Sequence, residues 1–230
     1  MIWSSGLDLG QAQDFSALAI LQVSGTDVKY DIPGGTQILE CLPLTHVHCR
    51  HLERFPLMTR YTDIVQTVQS RLKRLKGQSF LAVDKTGVGA GPFELLEAAR
   101  LNPIGITITG GDKAQQGAHV RDQRVPKRDL VGSVQVALQN RILKFDRIPF
   151  EATLKKEIQN FRVKISAEGH DTYNNWRESD HDDLLLAVAI ACWTAEQMIA
   201  LFAKLGVDAI HDRIQSQRGG FGGEGSISPI

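Results

Sequence analysis

With 230 residues, 42% hydrophobic and 23% charged, the chain is long enough for one well-buried domain of moderate size and too short to promise two. Lys+Arg and Asp+Glu balance at 26 each, so total charge argues neither for nor against a nucleic-acid partner and only local clustering bears on it. Cys41, Cys49 and Cys192 form no paired framework and no leader-like segment precedes the first strand, so a reducing, intracellular setting is expected.

The first strand is expected over Ile2–Leu9, where Asp8 sits between Leu7 and Leu9 and is followed by Gly10. A carboxylate within an apolar strand needs a reason. Gln11–Phe15 reads as a polar turn. Ser16–Val23 is nearly continuously apolar, as in a strand covered on both faces. Val28–Tyr30 and Thr36–Val47, broken by Gly34 and Gly35, complete an antiparallel opening. His46, His48, Cys49 and His51 match no common zinc spacing, and the first two histidines would share one face of a strand.

Thr62 is expected to cap a helix from Asp63 to Lys76, with Ile64, Val65, Val68, Leu72 and Leu75 at helical spacing and Gly77 as its stop. Its outer face carries Arg71, Lys73, Arg74 and Lys76, a run that is usually solvated and that can also face a polyanion. Ser79–Asp84 is a buried strand ending on an acid. The glycine-rich turn that follows lacks a Gly-Lys-Ser/Thr, which excludes a Walker A loop, and a helix begins near Pro92. Such a strand-to-helix crossing leaves Asp84 at the carboxyl end of its strand, where open α/β sheets place ligands.

Ile104–Thr109 is the next strand. His119–Arg128 reads as a loop with Arg121, Arg124, Lys127 and Arg128, the best candidate in the chain for backbone-phosphate contact. A helix over Lys127–Asn140, a short strand over Arg141–Phe145 and a helix over Phe150–Asn160 come next. Phe161–Ile165 and Asp171–Trp176, flanking Glu168-Gly169, read as an added β-hairpin with Arg162 and Lys164 on its first arm.

Ser179-Asp180-His181-Asp182-Asp183 stands directly before the apolar run Leu184–Trp193. That run falls short of the roughly 18 apolar residues that span a bilayer and reads as a core helix reaching about Leu205. Crowded acids at its entrance are costly unless hydrogen bonds, the helix N-terminus or a cation stabilises them. They read either as an ordinary acidic helix start or as part of a metal site. Residues 1–205 are taken as one domain, and 206–230, with glycines clustered after Arg218, as a polar, flexible tail. The element order fits a mixed sheet with the first strand central and the Asp84 strand parallel beside it, so that Asp8, Asp84 and the start of the last helix converge.

Gly6-Leu7-Asp8-Leu9-Gly10, Val83-Asp84-Lys85-Thr86-Gly87-Val88-Gly89, Val125-Pro126-Lys127-Arg128-Asp129-Leu130 and the run from His181-Asp182-Asp183 to Ala189 resemble, in order over about residues 5–200, successive blocks of the nuclease domain of tailed-bacteriophage large terminase subunits. The resemblance implies a ribonuclease-H-like fold and a metal-dependent endonuclease that cuts concatemeric double-stranded DNA in the cytoplasm of an infected bacterium. It implies two divalent cations, Mg²⁺ or Mn²⁺, with Asp8 bridging, Asp84 holding one and Asp183 the other. Asp180 and Asp182 are further candidate ligands, while His181 and Lys85 are auxiliary groups. Arg121, Arg124, Lys127, Arg128, Arg162 and Lys164 would grip phosphates without reading bases. Its partners would be a packaging ATPase domain, a small terminase subunit and a portal; no ATPase motif of its own is expected here. A junction resolvase and a non-catalytic DNA-binding domain of the same fold are the rival expectations.

Overall fold

The computed structural model describes residues 2–10, 14–25, 28–32, 35–39, 44–86, 91–111, 113–117, 121–167 and 182–219. Its core is an eight-stranded sheet. The strands are β1 (Ile2–Asp8), β2 (Ser16–Gly25), β5 (Leu44–Phe55), β6 (Gln78–Asp84), β7 (Ile104–Thr109), β8 (Gln115–Gln116), β9 (Asp122–Pro126) and β10 (Leu143–Phe145), in the order β10-β5-β2-β1-β6-β7-β9-β8. β2 runs antiparallel to its neighbours β1 and β5, whereas β6 lies parallel to β1, β7 to β6 and β9 to β7. Three antiparallel strands followed by parallel ones, with the first strand central, make this the ribonuclease-H-like mixed sheet.

Alternation along the strands assigns the two faces. Ala17, Ala19 and Leu21 of β2, Ala82 of β6 and Ile106 of β7 pack with α3 (Lys127–Gln139), α4 (Glu151–Ala167) and α5 (Asp183–Gly219). Leu7, Leu18, Ile20, Leu81 and Val83 point the other way, onto α1 (Tyr61–Leu72) and α2 (Gly91–Ala98). On β1 the residues facing α5 are small. Ser4 donates its hydroxyl to the Ala191 carbonyl at 2.7 Å. A Cβ on Gly6 would lie 2.1 Å from the Ala187 carbonyl oxygen and 2.7 Å from the Ala191 nitrogen. Asp8 has the same parity, so it too faces this helix.

Several expectations are corrected. β3 (Val28–Ile32) and β4 (Gly35–Leu39) pair only with each other in a separate two-stranded sheet, and the third strand of the main sheet is β5, which runs on to Phe55. His46 and His48 lie on it, as their spacing predicts, Cys49 is buried, and His51 pairs with Glu53 at 2.8 Å. Thr62 sits inside the first turn of α1, whose N-cap is Arg60 without a side-chain cap bond, and the helix closes at Leu72. The basic loop is largely β9, with Lys127 and Arg128 opening α3.

The expected hairpin arm Phe161–Ile165 is helical: Leu154, Ile158 and Phe161 continue one apolar stripe, and α4 follows it to Ala167. The second arm, Asp171–Trp176, lies outside the described residues. α5 continues to Gly219, past the expected start of the tail at 206, and 220–230 lie outside the described residues. Its stretch Asp183–Leu201 is long and apolar enough by composition to cross a membrane, longer than the run counted from the sequence, but 72% of that window is buried within the fold, which is the pattern of a core helix.

Gly6 sets the distance between the central strand and α5. Gly6→Ala should therefore destabilise the protein by about 1–3 kcal/mol or more, because backbone rather than a flexible side chain blocks the new methyl. Chemical denaturation of the two proteins measures this; an unchanged midpoint would mean the helix can retreat freely.

Candidate active site

Asp8 and Asp84 are the last residues of the adjacent parallel strands β1 and β6, and both side chains turn toward α5. They are 8% and 6% exposed, and their carboxyls hydrogen-bond to one another. Burial is the main force pushing the Asp8 carboxyl well above the ordinary range, and the charges of Asp84, Asp182 and Asp183 push further in the same direction. Lys127 opposes them. Asp84 is raised as well, chiefly by burial, against hydrogen bonds from Thr86, whose backbone N–H donates to Oδ1 at 2.7 Å. Thr86 in turn accepts from the Ile108 N–H at 2.7 Å, so the residue after the strand both orients Asp84 and joins β6 to β7.

α5 brings the remaining acids. Asp182 precedes it and accepts from Lys127 Nζ at 2.8 Å, while its carbonyl accepts from the Leu186 N–H at 2.8 Å. Asp183, 5% exposed, accepts from Arg54 Nε at 2.6 Å. Arg54 reaches in from β5, also donates to the buried Glu157 of α4, and lies over the Phe15 ring, 4.9 Å from its centroid. Burial pushes the Glu157 carboxyl up to about 7, although its oxygens accept from both Arg54 and the Leu185 N–H at 2.8 Å. Both bonds favour the charged form, but burial outweighs them.

Sequence reasoning missed Arg54 and Glu157. A signal for Glu157 existed: it shares the apolar stripe of Leu154, Ile158 and Phe161, where an unpaired acid would be costly. Lys85 is turned away from the acids. It crosses Gly105, where a Cβ would meet its side chain at 2.3 Å, stacks on Phe93 and pairs with Asp122 at 3.0 Å. Lys127 is the cation that stands among the acids instead. The expected basic cluster is divided by the length of β9, roughly 16 Å: Lys127 and Arg128 are at the acidic end and Arg121 at the other, with the exposed Arg124 between. Arg162 and Lys164 lie on α4 rather than on a strand. Asp180 and His181 are outside the described residues.

The described residues contain no group of three or more His, Cys, Asp or Glu side chains close enough to hold a metal ion. Asp183 is engaged by Arg54, while Asp8 and Asp84 are in direct contact. Two carboxylates, supplemented by substrate phosphate, are nonetheless the all-oxygen set on which Mg²⁺ and Mn²⁺ characteristically bind. A buried acid pair in contact, whose carboxyls are pushed up by burial, fits such an ion.

No family model and no curated protein sequence matches the chain. Among solved structures it is similar to the large terminase nuclease from thermophilic phage G20c, at 18% identity over 83% of this chain and 80% of that one, with a TM-score of 0.48. It is also similar to the Mn-soaked human cytomegalovirus terminase nuclease domain, at 12% identity over 87% and 86%, with a TM-score of 0.47. Strand order, not these likenesses, defines the fold.

Two outcomes follow from the electrostatics. Asp8 and Asp84 hold protons more tightly folded than unfolded, so the stability they contribute is complete below the ordinary value of 3.8 and is lost as pH rises through their folded values. Metal-free protein in chelator should melt lower at pH 8 than at pH 5.5. Asp8→Asn should flatten that slope and raise the melting point at pH 8 by about 3 °C, the equivalent of about 1 kcal/mol for a chain of this size. Arg54→Ala strands two buried acids and should cost about 3–5 kcal/mol in denaturant unfolding, with Arg54→Lys intermediate.

Proposed function

We propose that this chain is a divalent-metal-dependent DNA endonuclease, the nuclease domain of a genome-packaging terminase, cutting concatemeric double-stranded DNA with little base specificity. The observation that carries the reading is the convergence of Asp8 and Asp84 from neighbouring strand ends with Asp182 and Asp183 at the start of the helix packed across them. Buried acids gathered at the carboxyl ends of parallel strands lower stability unless they serve a ligand.

Asp8, Asp84 and Asp183 are the residues that would hold metal, with Asp182 and Asp180 as further candidates and His181 as an auxiliary group. Bound there, Mg²⁺ or Mn²⁺ would supply an activated water and stabilisation of the departing 3′ oxygen, with two ions as the arrangement we favour. The chain's own residues have separate tasks. Thr86 fixes the Asp84 carboxyl in place, and Arg54 limits how far the Asp183 carboxyl can turn. Lys127, anchored on Asp182, puts positive charge beside the acids on the side where a phosphate would enter. Arg124 and Arg128 extend that charge outward and would contact phosphates rather than base edges; Arg162 and Lys164 remain candidates for the same role. The packaging ATPase domain, small subunit and portal belong to the same proposal.

The purified protein should nick supercoiled plasmid in Mn²⁺ or Mg²⁺ and stop when chelator is added. Asp8→Asn, Asp84→Asn and Asp183→Asn should each lose detectable nicking while still binding duplex. Tight DNA binding without nicking in either metal would instead identify a non-catalytic DNA-binding domain. Strong competition by four-way junctions over linear duplex would identify a resolvase.

A further inference from the structure

A large cavity lies away from the acids. It has a volume of about 910 Å³ and opens beneath the other end of the sheet, where β6, β7 and β9 begin. Asp84 and Ser79 are five residues apart on one strand, roughly 16 Å. Along α5, Asp183 and Thr194 are eleven residues apart, again roughly 16 Å. The cavity is therefore a separate place in the fold, and it offers no carboxylate, imidazole or thiol for the chemistry assigned to the acidic end.

What it does offer is specific. Its wall includes two aromatic side chains, Phe80 and Trp193, together with Leu72, Leu81, Leu101 and Met198. Lys73, Arg100 and Arg121 also line it, with no acid among the lining residues to neutralise them. Arg121 donates to Asn102 at 3.4 Å, whereas Lys73 and Arg100 are exposed and have no ion-pair partner among the described residues. Arg100 and Asn102 both have left-handed backbone, with φ of 59° and 47°, in the turn that carries them to the cavity. Gln123 and Gln197 add amide groups to the lining. Thr194, also in the wall, has one of the two buried side-chain hydroxyls without a hydrogen-bond partner among the described residues.

We propose that this cavity is a binding site for a nucleotide, with the base against the Phe80–Trp193 wall and the phosphates at Lys73, Arg100 and Arg121. The volume lies in the range of small-molecule sites. An aromatic, apolar wall suits a base, amides suit its polar edge, and three cations without counter-charge call for an anion of more than one charge. A fatty acid would leave the amides unused, and inorganic phosphate would leave the apolar wall unfilled. The proposal does not depend on the nuclease reading. It separates Arg121 from the groups expected to grip a DNA backbone near the acids.

The test is calorimetric titration of the full chain with ATP in the presence of chelator, which removes any metal-site contribution. Adenosine and inorganic tripolyphosphate are titrated in parallel. ATP should bind with micromolar affinity, and each fragment at least about tenfold more weakly. The double variant Lys73→Glu/Arg100→Glu should reduce ATP affinity by about tenfold or more, with its melting temperature and its metal-dependent nicking unchanged. A 5′-phosphorylated DNA trinucleotide that displaces ATP would identify a strand terminus as the natural source of base and phosphate. One that does not displace it would identify free nucleotide, and either result keeps the site. No binding of ATP at millimolar concentration, tripolyphosphate binding as tightly as ATP, or a double variant with undiminished affinity would overturn the proposal.

Discussion

The contact between Gly6 and α5 is the constraint on which the acidic end depends. With no side chain at Gly6, the backbone of the central strand lies against Ala187 and Ala191, and the helix crosses the sheet close enough for its first residues to stand over the end of β1. Ser4 adds a hydrogen bond two residues earlier on the same face. Because side chains alternate along a strand, the next residue in this series after Ser4 and Gly6 is Asp8. The packing that buries the helix thus also delivers an acid beneath its N-terminus. A larger residue at any of these positions would separate the carboxylates as well as loosen the core.

That closeness creates an electrostatic cost, and the surrounding residues meet it unequally. Lys127 engages Asp182, and Arg54 engages Asp183 and Glu157, so the helix start has cations to hand. Asp8 and Asp84 hydrogen-bond to one another, Thr86 holds Asp84, and Lys127 acts on both through its charge. Burial chiefly raises both carboxyls, and at Asp8 the charges of the neighbouring acids add to it. The strand-end pair is thus the more costly half of the acidic cluster.

Much of this was legible from residue pattern alone. Asp8 inside an apolar strand and Asp84 at the end of another violate the local rule that strands bury apolar side chains, and such violations tend to mark sites. The core helix was equally clear from its run of small and aliphatic residues. What could not be read was partnership across long sequence distances. Arg54 lies 129 residues before Asp183, and nothing local distinguishes it from the other basic residues of its strand. Phe161–Ile165 failed for a different reason: its alternation is compatible with a strand, and only the continuation of the Leu154–Ile158–Phe161 stripe against the core decides for helix. The basic segment Arg121–Arg128 looked like one patch because sequence proximity hides the extension of a strand. As β9, it carries its first and last cations to opposite ends of the sheet.

The division of that segment organises the whole molecule. Parallel strands β6, β7 and β9 align their carboxyl ends with the buried acids and their amino ends with the cavity, and α5, running the other way, has Asp183 at one end of the described path and Trp193 to Met198 along the other. Positive charge is present at both ends but in different company. At the acidic end Arg54 and Lys127 are each held by a carboxylate and so fixed in position. At the cavity Lys73 and Arg100 face no acid, so their charge remains available to a ligand. A multiply charged anion would therefore be attracted to the cavity by its cations directly, whereas at the acidic end the same anion would be opposed by Asp8 and Asp84 unless metal is present. The two ends of one sheet thus differ in what must arrive first.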